Sequence, residues 1–115
     1  MAAPQQNLYN QTFTTNQVGE ILLTGILNVA DFQQVNIMII SNFVPPAPPL
    51  NMTVECYMGQ LSRQTVGQMV GQFALVPGGA LAKIYTFDVV GPEFSVVLKG
   101  APNTDVPIQA WVFLH

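Results

Sequence analysis

Short runs of alternating apolar and polar residues, cut by turn-forming residues at intervals of roughly 8–12 positions, restrict this chain more than any other feature. Asn51–Gly59 is the cleanest run: Met52, Val54, Cys56 and Met58 alternate with Thr53, Glu55 and Tyr57. A period of two suits a half-buried strand. Pro107–His115 repeats the pattern, with Ile108, Ala110, Val112 and Leu114 on one side and Gln109, Trp111 and Phe113 on the other. Because that second side is itself aromatic, the run is expected to be buried on both sides or docked to a partner. Phe94, Val96 and Leu98 alternate with Glu93, Ser95, Val97 and Lys99, and Leu81, Lys83, Tyr85 and Phe87 alternate less cleanly. Glu20–Val29 and Gln34–Ile40 are more continuously apolar, as strands inside a core would be.

Gly19, Asn28–Asp31, Pro77–Gly79, Gly91-Pro92 and Gly100–Asn103 separate these runs, supplying the positive or fixed φ that turns need. Val44–Leu50 holds four prolines, too many for a central strand, and is expected to be a stiff polyproline-like crossover. Its PxxP spacing matches an SH3-type ligand, but it lies between strong strands without a flanking Arg or Lys. Gln60–Gln72 repeats Val-Gly-Gln at four-residue spacing. Two glycines would weaken a helix there by about 1 kcal/mol each, so a twisted strand or wide hairpin with glycine bulges is expected. No other stretch has a helical period. The expected organisation is a polar arm over residues 1–17, extended from Leu8 to Thr15, followed by one all-β antiparallel sandwich over residues 18–115 with about eight strands.

Charge is the second constraint. Three basic and six acidic residues make 8% of the chain, against about 25% in ordinary soluble proteins. Lys83, Lys99 and Arg63 are scattered and cannot form the basic stripe that nucleic acid requires. No apolar run reaches the roughly 18–20 residues of a membrane-spanning helix, and the first residues do not read as a secretory signal. Cys56 stands alone, which excludes an intrachain disulfide and suits a buried apolar side chain.

Catalytic chemistry finds little to work with. His115 is the only histidine, so neither a zinc set nor a triad is expected, and no catalytic, cofactor-binding or metal-binding residues are assigned. The six carboxylates are isolated in sequence, with Asp31 and Asp105 in turn contexts and Glu55 and Glu93 at outward strand positions. Asn103-Thr-Asp105 is the one calcium candidate, without the dense acidic loop such sites use. Asn10-Gln-Thr12 and Asn51-Met-Thr53 match the glycosylation triplet, a pattern that chance supplies readily in Asn- and Thr-rich chains.

Self-association accounts best for these features. Monomers guard sheet edges with Lys, Pro or bulges, and this chain has two lysines. The arm residues Leu8, Tyr9, Thr12, Phe13 and Thr15 are expected to add as a strand to a neighbour's sheet, with Tyr57, Trp111 and Phe113 as interface aromatics. The expected partner is the chain itself, as a filament, ring or surface layer, with no cofactor, no nucleic acid and no membrane insertion. A carbohydrate-binding module built on exposed aromatics and a viral or phage structural protein are the alternatives.

The Gln/Asn/Thr arm at 5–17, the short strands, and the closing patterns Phe87–Phe94 and Ile108–Val112 resemble the small jelly-roll subunits found on spores of Gram-positive bacteria, including spore appendage proteins. That resemblance implies a jelly-roll sandwich and an assembly at a cell or spore surface or outside the cell. Appendage members carry arm cysteines implied to cross-link subunits. This arm has none.

Overall fold

The computed structural model describes residues 3–41, 52–60, 67–77 and 84–115. The proline-rich segment 44–50, Leu81, Lys83 and the first part of the Gln60–Gln72 stretch lie outside the described residues. What is described is all β, measuring 46 × 28 × 19 Å. Its strands are β1 (Gln5–Thr14), β2 (Glu20–Leu22), β3 (Leu27–Asn28), β4 (Gln34–Ser41), β5 (Thr53–Gly59), β6 (Gly67–Ala74), β7 (Val76–Pro77), β8 (Ile84–Asp88), β9 (Glu93–Lys99) and β10 (Asp105–Leu114).

They form two facing sheets. The first runs β1-β10-β4, with β7 and β8 end to end along the far side of β4; the second runs β9-β5-β6, with β2 and β3 end to end along β9. Apart from the two-residue β4–β7 contact every pairing is antiparallel. Strands close in sequence alternate between sheets, which is the wrapping of a jelly-roll sandwich.

Alternation builds the core directly. Val35, Ile37 and Ile39 of β4, with Val106, Ile108, Ala110, Val112 and Leu114 of β10, face Val54, Cys56 and Met58 of β5 and Phe94, Val96 and Leu98 of β9, all buried. The Gln60–Gln72 stretch contributes β6, whose register against β5 shifts between Cys56 and Tyr57, beside Gly71. That is a bulge of the kind glycine permits.

Glu20–Val29 departs from expectation. Instead of one strand inside the core it is the interrupted edge β2/β3. Gly25 takes φ +66, and the Thr24 hydroxyl, in place of a backbone carbonyl, accepts the Val96 N–H at 3.1 Å. Leu22 and Ile26 consequently face solvent.

The segment read as an arm lies within the molecule's own first sheet. Gln5–Thr14 pairs with β10 over its whole length, from Gln5↔Leu114 to Thr14↔Asp105. Phe13 is buried and Tyr9 packs against the core, so two large inward side chains hold a strand that is otherwise polar. The turn after it depends on Gly19, at φ +77. Gly19 passes so close to the Gly100 carbonyl that a side chain would collide with it.

Candidate assembly surface

Antiparallel register carries the outward residues of the first sheet into rows that cross it. Leu8, Trp111, Met38 and Ile84 stand side by side across β1, β10, β4 and β8. Leu8 is 68% exposed and Ile84 55%, and the row borders a shallow depression of about 330 Å³. The neighbouring row is Gln6, Phe113, Asn36 and Thr86. Among the described residues no lysine or arginine lies on this face. Its carboxylates, Asp88 and Asp105, sit at opposite corners, where Asp88 accepts from Gln34 at 3.4 Å and Asp105 from Thr14 at 2.6 Å.

The aromatic rings are stacked on one another. Trp111 and Phe113 lie nearly parallel with centroids 5.4 Å apart, and Phe113 and His115 follow at 5.0 Å. Ring faces turned toward each other leave edges for solvent. A sugar platform needs an open face, so this ladder is poorly formed for one.

Backbone geometry adds a second feature. His115 and Gln34 exchange both backbone hydrogen bonds, at 3.1 and 2.9 Å, so His115 bonds toward β4. Leu114, one residue earlier, bonds toward β1. Its partner Gln5, and with it Asn7, Tyr9, Gln11 and Phe13, therefore directs N–H and C=O toward β10. The bond from Thr15 N–H to the Thr104 carbonyl, 2.9 Å, fits the same alternation. Gln6, Leu8, Asn10, Thr12 and Thr14 direct theirs to the outer edge, where no strand lies among the described residues. The residues with outward side chains are thus also those with unpaired backbone groups.

The expected assembly residues are divided by this arrangement. Leu8, Trp111 and Phe113 share the outer face of the first sheet, with Thr12 outward near its edge. Tyr9 and Phe13 point inward. Thr15, 2% exposed, clasps the strand end: its hydroxyl donates to the Ala101 carbonyl at 2.7 Å and accepts from Thr104 N–H at 2.8 Å. Tyr57 lies on the other sheet, where it donates to Glu55 at 2.5 Å. Met38 and Ile84 belong to the apolar row and were not expected there; Met38 was findable, since an inward Ile37 and Ile39 turn it outward.

The second sheet's outer face is polar. Lys99 Nζ lies 2.9 Å from Glu55 and 3.7 Å from Glu20, and Gln72 donates to Glu55 at 3.3 Å. The hydrogen bonds from Tyr57 and then Lys99 hold the Glu55 carboxyl below its ordinary range. Glu55 is only 6% exposed, yet one layer of surface side chains covers it, so desolvation opposes these bonds weakly. Lys99 is raised, first by its bond to Glu55. Burial pushes the Cys56 thiol up to about 12. Among the described residues no three His, Cys, Asp or Glu side chains gather as a metal site would require, and no helix is long and apolar enough to cross a membrane.

No family model matches the sequence, and no curated protein matches it significantly. Solved structures do share the fold. A protein of the Bacillus endospore appendages, described as a family of disulfide-linked pili, is similar at TM-score 0.62 and 12% identity over 97% of this chain and 87% of that one. A Yersinia pseudotuberculosis-derived mitogen is similar at TM-score 0.59 and 13% identity, over 98% and 88%. A protein of infectious bursal disease virus is similar at TM-score 0.54 and 11% identity, over 98% of this chain and 32% of that one. At these identities the likeness is one of fold.

Proposed function

We propose that this chain is a non-enzymatic structural subunit that assembles with copies of itself, at a cell or spore surface or outside the cell, through the edges of its sheets with β1 as the docking strand. The observation that carries the reading is the outer face of the first sheet. An apolar row, Leu8–Trp111–Met38–Ile84, runs across it and stops at the open edge of an uncharged strand. Covering Leu8 and Ile84 stabilises an interface by about 1–2 kcal/mol each, and new backbone pairs along β1 fix its direction. A monomer would ordinarily place charge at such an edge. Fold likeness to a protein of the pilus-forming endospore appendages and to a protein of infectious bursal disease virus supports the same reading.

Sedimentation velocity and negative-stain imaging of the full chain test it. Particles larger than one chain are expected at raised concentration, changing little between low and high salt because few charge pairs are involved. A solitary monomer at the highest reachable concentration refutes the reading.

A further inference from the structure

The geometry points to the partner of the β1 edge: the same edge of a second copy, paired antiparallel across a twofold axis so that two first sheets fuse into one. This rests on the self-association proposed above and names its contact.

Among the described residues the four sheet edges are not equivalent. β2/β3 is interrupted between Leu22 and Leu27, and β6 carries a bulge with Gly67 and Gly71. Among the described residues β8 covers five positions and ends in Asp88. Short, kinked and charged edges resist strand addition. β1 is ten residues long, carries no charge and keeps one unbroken register against β10.

Twofold symmetry makes the absence of charge specific to self-pairing. Across such an axis the residues nearest to it lie beside their own copies, so any charge at the middle of the strand would face itself. None does. Backbone direction then limits the register, because facing residues must both aim their N–H and C=O groups at the partner or both away from it. The axis therefore passes through a residue and not between two, and pairing the greatest length of Gln5–Thr14 places it at Asn10 or Tyr9. With the axis at Asn10, Leu8 faces Thr12 of the second copy and Gln6 faces Thr14. With the axis at Tyr9, Leu8 faces Asn10 of the second copy. Either register extends the outer face without a break, with the two apolar rows staggered by four residues at the Asn10 axis and by two at the Tyr9 axis.

Residue-resolved hydrogen exchange on the unmodified chain is the first test. In the monomer the amides of Asn7, Tyr9, Gln11 and Phe13 should be protected while those of Gln6, Leu8, Asn10, Thr12 and Thr14 should exchange freely. On association the second set should slow by about tenfold or more. Charged substitutions at exposed positions on two edges are the second test. Asn10→Lys should return the assembly to smaller units, and Gln68→Lys on β6 should not. An assembly whose even-numbered β1 amides still exchange freely, or one that Asn10→Lys leaves intact, overturns the twofold contact while leaving self-association standing. A chain that is monomeric throughout overturns both.

Discussion

Replacing Thr15 by valine should test how β1 is fastened to its own chain. The substitution keeps the buried shape and removes the hydroxyl that bonds Ala101 and Thr104. Ala101 is exposed, so its carbonyl can turn to water. Thr104 N–H, at 2.8 Å, loses its partner in a part-buried position. An unsatisfied donor there costs about 1–3 kcal/mol. At about 4 °C per kcal/mol for a domain of this size, Thr15→Val should lower Tm by about 8 °C. Thr15→Ser keeps the hydroxyl and loses one methyl, which should cost about 1 kcal/mol, or about 4 °C. Thermal melts by circular dichroism give both values. Trp111, the only tryptophan and paired with Leu8, reports by fluorescence whether β1 leaves first. If Thr15→Val melts within about 2 °C of the parent, or if serine is as damaging as valine, the hydroxyl clasp is not what holds the strand.

Three other outcomes are expected. Because the folded Glu55 carboxyl titrates below its ordinary 4.5, the unfolded chain takes up the proton first as pH falls. Its contribution is therefore complete above about pH 5 and lost as pH drops through the folded value; urea midpoints should show this decline flattened in Glu55→Gln, and an unchanged decline counts against the network. A side chain at Gly71 would run into the Phe87 ring, so Gly71→Ala should cost about 1–3 kcal/mol. Phe87→Leu in the same chain should recover part of that loss, whereas strict additivity would point to backbone effects alone. Cys56, buried with its thiol raised to about 12, should react with a maleimide only after denaturation, and labelling at equal rates in native protein and urea would contradict its placement.

The strands most legible in the sequence were β5, β9 and β10, whose alternation is set by burial on one side of each. β1 was hard to read for a physical reason. Its inward positions include Gln5, Asn7 and Gln11, and apart from Phe13 and Tyr9 its inner side is poorly covered, so its composition is that of an exposed segment. What makes it a strand is β10, near the other end of the sequence, and no local pattern carries that. Glu20–Val29 looked like one buried strand because Leu22 and Ile26 are apolar, although both face water. The candidate surface was legible residue by residue, in Leu8, Trp111 and Phe113, but not as a row. Rows depend on register between strands, which brought in Met38 and Ile84 and left Tyr57 on the opposite sheet.

The long pairing of β1 with β10 also has a consequence for how the molecule is made. β1 is made before every other described strand, yet the strand that completes it is the last of them to follow. Folding must therefore close its longest loop last, a slow step for a chain dominated by distant contacts. Until then Tyr9 and Phe13 have no cover, and where chains are made side by side a first strand can complete a neighbour's sheet with the same bonds it would have made at home. Crowding on a polysome would thus decide how often strands are exchanged.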